Sequence, residues 1–485
     1  MFDVVVIGAG PAGVLAALRA ADLGARTALI ARSEFGGMAA NDGPVPVRVL
    51  AHAARLMRDV RQLAEYGIAV GEPELDYAKL LSRVTDVVGD ARRHSSLRGQ
   101  LDALGVVIYE RAGAARFVNA HTLEAQNGLR LGAKKIIICT GGVSRRLPIP
   151  GFDLTSTHSD AWGLTMVPRS MLVVGAGATG AQVASIFNAF GTRVQLFEAG
   201  PRILAAEDED VSEAAAVAFR ASGMIVRENF GTIESFEKVT SRVRMNFTKE
   251  GRRESAEAEL VVVAVGWTAD LAGLNLAAAR VELNERKFVE VDEYMQTSAP
   301  HIFAAGDITG RLMLVPQAIR GGFVAATNAV LGPTMPLGDN SGPTGSFTEP
   351  EYAQVGLTEA QARQTHDIVK SIINFDTTTR TIIDGRKFGF CKLIADRQTC
   401  RILGCHVIGE RAIDIAQVAA IAISAGMRVD DLARIPLAYP TYADILVRAA
   451  IDAASQLNLK IGWQAHQAGI SIATRRDRKR PEQAA

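Results

Sequence analysis

The sequence predicts an α/β protein in which two βαβ units with parallel strands precede a C-terminal region of α+β type. Three observations predict it. The N-terminal stretch FDVVVIGAGPAGVLAALRAADLGARTALIAR runs from an apolar β-like segment through a glycine turn and an Ala/Leu helix into a second β-like segment. The pattern returns from Ser170 as SMLVVGAGATGAQVASIFNAFGTRVQLFEAG. From about Asp339 a Gly/Pro/Ser-rich link, DNSGPTGSF, leads into alternating strands such as KFGFCKLIAD and CRILGCHVIG, then into Ala-rich helices.

Gly8, Gly10 and Gly13 in the first repeat share their spacing with Gly175, Gly177 and Gly180 in the second. In such a turn the first glycine makes the bend, the second lets the backbone approach a pyrophosphate, and the third lets helix and strand pack closely. The helix N-terminus then offers amide donors and a partial positive charge to the phosphates. One G-x-G-x-x-G is weak evidence, because packing alone also produces glycine-rich turns. Two copies, each inside a complete βαβ pattern, point to two Rossmann-like dinucleotide-binding domains.

Between the repeats, AKKIIICTGG (Ala133 to Gly142) reads as a buried strand ending in a turn with Thr140 and Gly141, followed by a proline-rich crossing, LPIPG. Later, APHIFAAGDITG (Ala299 to Gly310) is another buried strand, ending in Gly306 and Asp307. A carboxylate there can accept a hydrogen bond from a cofactor hydroxyl, and the plainer alternative is an ordinary turn aspartate.

Composition narrows the partners. A chain of 485 residues with 48% hydrophobic and 22% charged residues has room for two to four domains with cores of their own. Its 53 Lys plus Arg nearly cancel its 52 Asp plus Glu, so no overall field draws it to nucleic acid or an anionic membrane, and small ligands are favoured. Cys139, Cys391, Cys400 and Cys405 form no C-x-x-C pair, zinc spacing or disulfide framework, which points to a reducing, cytoplasmic setting without a metal. Cys391 and Cys405 read as buried packing residues. The apolar run Val4 to Ala21 is interrupted by Gly8, Gly10, Pro11 and Gly13 and has no basic segment before it, so neither a signal peptide nor a membrane span is expected. The basic RRDRKR run, Arg475 to Arg480, reads as a solvated end without a function.

In this order, the motifs resemble those of the flavoprotein disulfide reductase family, which includes lipoamide dehydrogenase, glutathione reductase, mercuric reductase and the soluble transhydrogenase. The resemblance spans Met1 to about Leu459: GAGPAG, the pair Gly36 and Gly37, TGG at Thr140, GAGATG, AAGD ending at Asp307, SFTEPEYAQVGLTEAQA at Ser346, RILGCHVIGERAIDI at Arg401 and YPTYAD at Tyr439. It implies a glutathione reductase-like plan. An FAD-binding domain would occupy 1–150 and be completed by about 271–338, an NAD(P)H-binding domain 151–270, and an interface domain making a homodimer 339–460, with a tail at 461–485.

Against that family the sequence departs where electrons would leave. The segment after the glycine pair usually reads TCxNxGCxPSK; here GGMAANDGPVPVR puts Ala39 and Pro44 at the two cysteine positions. The interface motif usually reads HPTxSE, whose His and Glu serve the dithiol from the partner subunit; here Tyr439 and Asp444 stand there, and a phenol with a pKa near about 10 is a poor base at neutrality. The family lysine beside the flavin is Arg48 and its glutamate partner is Gln182. Arginine stays protonated, so it can hold a ligand and favour negative charge but cannot act as an acid or base. Ala178 replaces an aromatic gate. Ala31 replaces an acid that caps the FAD ribose, so the expectation is either weaker FAD binding or substitution by Glu34. Glu198 favours NADH by accepting both ribose hydroxyls, and Arg202 keeps NADPH open.

Hydride transfer from NADH to FAD survives the cysteine loss, because the cofactors carry that step. The expected function is therefore an NAD(P)H oxidoreductase that passes electrons to a small non-disulfide acceptor, a quinone first, in a pocket lined by Met38, Ala39, Pro44 and Arg48. Transhydrogenation between pyridine nucleotides is the alternative, since the YPT and GERA runs look like those of the soluble transhydrogenase. A catalytically silent flavin-binding regulatory protein is the rival from another class, and a disulfide reductase using other cysteines the weakest reading.

Overall fold

The N-terminal repeat folds into β1 (Phe2–Ile7), α1 (Pro11–Asp22) and β2 (Thr27–Ile30). A computed structural model of the chain describes residues 1–93, 96–338 and 342–461. The RRDRKR run, the tail beyond Ile461, and Asp339 to Ser341 of the link lie outside the described residues. The described residues fall into two compact units, one within Met1–Phe197 and Phe230–Asn340, the other within Glu198–Asn229 and Ser341–Ala485.

In the first unit, α2 (Gly37–Asn41) and α3 (Pro44–Gln62) follow β2, and then come β3 (Val107–Tyr109), β4 (Ala115–Asn119), β5 (Thr122–Ala125) and β6 (Arg130–Ile138). With Ile302–Ala304 they make a seven-stranded sheet of order β3-β2-β1-β6-β5-β4, Ile302–Ala304 pairing on β6. β1 lies inside it, parallel to β2 (Val5 opposite Ala28) and to β6 (Val5 opposite Ile136). A strand buried on both faces calls for an unbroken apolar run, which VVVI supplies. Val5 and Ile7 join one core with Ile136, Ile138 and Ile302, while Val4 and Val6 join another with the small residues of α1 and of the helix Val315–Leu331. Those two helices touch backbone to backbone: a Cβ on Gly322 would fall 2.1 Å from the Ala12 carbonyl oxygen.

Further along come β7 (Gly142–Ser144) and α4 (His158–Trp162), whose start is closed by a capping box between Thr157 and Asp160. The second repeat forms β8 (Ser170–Val174), α5 (Ala178–Ala189) and β9 (Arg193–Phe197), with β10 (Leu260–Val263) parallel to β8 on its other side. β11 (Trp267–Ala269) pairs antiparallel with β7, Trp267 opposite Ser144. The sequence-based divisions at 150/151 and 270/271 both fall inside this unit.

The second unit carries a five-stranded antiparallel sheet in the order Thr344–Ser346, Tyr352–Gly356, Ile402–Gly409, Gly389–Asp396, Ile368–Asn374. Two helices, α6 (Ala412–Ser424) and α7 (Asp444–Gln456), bury their alanine-rich faces in the same core as Cys391, Leu393, Cys405 and Val407. Among the described residues no helix is long and apolar enough to cross a membrane.

Lys392 points into this unit with 1% of its side chain exposed, and its ammonium reaches Asp208 at 2.8 Å, Asp210 at 2.6 Å and Glu359 at 2.6 Å. Burial alone would raise the Glu359 carboxyl, but hydrogen bonds from Lys392, Arg363 and Lys370 outweigh it and hold the group down at about 2. A folded-state pKa below the unfolded value gives a contribution that is present above about pH 4 and is lost as the pH falls through about 2. Lys392→Met leaves the buried Asp208 without its counter-charge. Chemical denaturation at neutral pH is expected to show a loss of about 3–5 kcal/mol, and the gap from the wild type should narrow between pH 4 and pH 2.

Candidate functional site

Both glycine repeats end at helix starts without a side-chain cap: Gly10 precedes α1 and Gly177 precedes α5. A Cβ on Gly10 or Gly177 would meet nothing within 4 Å, whereas one on Gly13 would lie 1.8 Å from the Gly8 carbonyl oxygen and one on Gly180 1.8 Å from the Gly175 carbonyl oxygen. Each turn therefore pairs a tight strand-to-helix contact with open space over the first amides of a helix that has no side-chain cap. The pyrophosphates of FAD and NAD(P)H fit such cradles. Gly37, at φ +56°, starts α2 against the first cradle, its Cβ position only 2.7 Å from the Gly10 Cα, and Gly36 before it is left-handed at φ +93°.

Around the first cradle, Gly306 and Asp307 follow Ile302–Ala304, and burial pushes the Asp307 carboxyl above its usual range. A hydroxyl donated to it would offset that cost. Thr140 ties two loops together, its hydroxyl donating to the Asp270 carbonyl at 2.9 Å, while the Gly141 carbonyl accepts the Asp270 amide at 3.0 Å. Ala31 is buried, and Glu34 is paired with Arg111 at 2.9 Å. The neighbouring Arg32 reaches Asp270 at 2.8 Å.

In the second unit, Glu198 accepts the Gly200 amide at 2.8 Å on one carboxylate oxygen. Arg202 donates to the carbonyls of Leu204 (3.5 Å), Ala205 (3.1 Å) and Glu207 (3.1 Å), bracing its own loop. Tyr439 is 72% exposed, and its hydroxyl lies 2.7 Å from that of Thr379. Asp444 opens α7 half-buried, with Oδ1 unpartnered among the described residues; burial pushes its carboxyl up and Arg448 opposes the rise.

Where the family keeps its disulfide, Met38 and Ala39 lie half-buried in α2 and Pro44 is exposed at the first turn of α3. Arg48 in α3 donates to the Gln182 amide oxygen at 3.0 Å, so the two residues linked by the sequence reading do meet. All four cysteines are buried, and burial pushes Cys139 up to about 12 against the opposing Ala305 amide. The hydrogen bond to Cys405, 3.8 Å away, raises Cys391, and burial adds to it.

Sequence reasoning missed a hydrogen-bonded chain at this same segment. Asp42, in the turn between Ala39 and Pro44, accepts the Ser159 hydroxyl at 2.6 Å. Ser159 Oγ lies 3.3 Å from His158 Nε2, and His158 Nδ1 lies 3.3 Å from Ser144 Oγ. The ring packs edge-on to Trp267, centroids 4.9 Å apart. Burial lowers the His158 pKa, with Asp42 and Asp160 pulling the other way. The capping pattern THSD could have placed His158 and Ser159 at a helix start, but no spacing tied them to Asp42.

Residues 2–322 match the family described as pyridine nucleotide-disulphide oxidoreductase, and residues 342–450 match its dimerisation domain. The chain is 31% identical to a mercuric reductase of Bacillus cereus over 455 residues, covering 93% of this chain and 71% of that protein. To a dihydrolipoyl dehydrogenase of Thermus scotoductus it is 32% identical over 459 residues, 93% of this chain and 96% of the other. Among solved structures it is similar to the HOCl-induced flavoprotein disulfide reductase RclA from Escherichia coli, with a TM-score of 0.82 and 25% identity over 92% of this chain and 99% of that one.

The two cradles can be separated by one substitution. Gly180→Ala drives a Cβ into the Gly175 carbonyl; such overpacking costs about 1–3 kcal/mol, which, where it falls on the NADH-bound turn, is roughly 5- to 150-fold in NADH affinity. Titration with NADH, followed in the flavin absorbance, should show that loss while the protein stays yellow.

Proposed function

Because this chain belongs to the pyridine nucleotide-disulphide oxidoreductase family, we propose that it passes hydride from NADH to FAD and then directly to a small non-disulfide acceptor, a quinone. The observation that carries the reading is the missing relay: Ala39 and Pro44 hold no sulfur, and the four cysteines are all buried. Family members bind FAD and NAD(P)H. Bound FAD supplies the two-electron chemistry, and the protein supplies position.

The first glycine turn and α1 hold the FAD pyrophosphate, and Asp307 accepts a flavin-side hydroxyl. The second turn and α5 hold the NADH pyrophosphate. Glu198 accepts the ribose hydroxyls and repels a 2′-phosphate, and Arg202 is already engaged with its own loop carbonyls. Arg48, oriented by Gln182, is a permanent cation that binds the acceptor and stabilises charge growing on it. Met38, Ala39 and Pro44 give that pocket apolar walls suited to a quinone. Tyr439 and Asp444 of the partner subunit close it in a homodimer.

Anaerobic titration of the yellow protein with NADH is expected to stop at two electrons per flavin, with no long-wavelength thiolate band. Mixing the reduced protein with menadione should restore the oxidised spectrum faster than mixing with thio-NAD. Arg48→Met should slow the menadione step by about 10-fold or more. Uptake of four electrons per flavin overturns the reading in favour of a disulfide reductase; faster consumption of thio-NAD favours transhydrogenation; no turnover with either favours the silent regulatory protein.

A further inference from the structure

The chain from Ser144 to Asp42 has a direction. Ser159 owns a single hydroxyl hydrogen, and the 2.6 Å approach to Asp42 Oδ2 commits it there. Toward His158 the same oxygen can only accept, so the ring carries its proton on Nε2. Nδ1 is then an acceptor, and the Ser144 hydroxyl must donate to it. Every donor points from Ser144, which is half-buried on β7, toward Asp42, which is half-buried in the turn that replaces the disulfide. His158 itself is only 5% exposed, and the charged groups acting on its ring are Asp42 and Asp160.

A quinone needs this kind of supply. Its reduction to a hydroquinone takes two electrons and two protons; hydride brings both electrons and one proton, and the other proton has to come from elsewhere. Arg48 cannot give it, because a guanidinium keeps its protons at neutral pH. We propose that Ser144, His158, Ser159 and Asp42 form a one-way proton relay, with Asp42 as the terminal donor to the acceptor on the vacated segment. This rests on the direct-acceptor reading above.

In the relay, the Ser159 hydroxyl hands its proton to Asp42, the His158 Nε2–H proton passes to Ser159, and the Ser144 proton passes to Nδ1. Water restores Ser144, and Asp42 delivers its proton to the quinone oxygen left negative by hydride addition. The net transfer is one proton from water to the quinone, and rotation of the two hydroxyls and exchange of the ring proton reset the chain. Burial keeps the ring neutral at rest, so it passes protons between its two nitrogens without holding a charge.

The test combines ring spectroscopy with two acceptors that differ in their need for protons. In the resting FAD-loaded protein labelled with 15N-histidine, His158 is expected as the Nε2–H tautomer. Asp42→Ala frees the Ser159 hydroxyl to donate to the ring, so the tautomer should switch to Nδ1–H. In stopped flow, menadione takes protons with its electrons and ferricyanide takes electrons alone. The menadione-to-ferricyanide rate ratio of each protein should fall by about 10-fold or more in Asp42→Ala, Ser159→Ala and His158→Gln, and Ser159→Thr should restore it. An Nδ1–H resting tautomer in the wild type, or an unchanged rate ratio in the variants, overturns the relay even if one of the variants fails to fold. Four electrons per flavin in the wild type instead removes the direct-acceptor reading, so the two failures are distinct.

Discussion

The contact between the third glycine of each repeat and the carbonyl of the first sets how closely helix and strand meet at both turns of the first unit. With 1.8 Å between a would-be Cβ on Gly13 and the Gly8 oxygen, helix and strand meet as bare backbone. That closeness aims the uncapped amides of α1 and α5 at open space, and it lets β1 sit deep in the sheet with apolar residues on both faces. The same economy of side chains recurs where Gly322 lies under Ala12. Small residues here are the condition for bringing dipoles and carbonyls to bear on a ligand, at some cost in backbone entropy.

Much of this was legible in the sequence, for a physical reason. Backbone-to-backbone packing demands glycine at fixed spacing, and buried parallel strands demand unbroken apolar runs, so both leave local signatures. The meeting of Arg48 with Gln182 was legible too, because a familiar ion pair had changed on both sides at once. What escaped was long-range and polar. Asp42 and Ser159 are 117 positions apart, and no period or spacing reports a contact made when a turn between two helices meets the start of a third. Arg202, read in the sequence as keeping NADPH open, also braces its own loop by donating to three of its carbonyls. Glu34, weighed as a stand-in for the acid missing at Ala31, pairs at the surface with Arg111, a partner 77 positions away that no spacing reports.

Charge is handled differently in the two units. In the second, Lys392 satisfies three carboxylates at once within a buried site, an arrangement whose desolvation cost is recovered only because every partner is in place. In the first, the middle links of the chain that ends at Asp42 are neutral hydroxyl and imidazole groups, while Asp42 and the nearby Arg48 are the charged members. Hydroxyl and imidazole links can rearrange their hydrogens without becoming charged themselves, which a fixed ion pair cannot do.

The burial of all four thiols reaches beyond electron transfer. Arsenicals, alkylating reagents and peroxide act on exposed sulfhydryls, and on this protein they find none to attack. Inhibition through a sulfhydryl, the usual route against an enzyme with a reactive thiolate at its surface, therefore has no exposed target here.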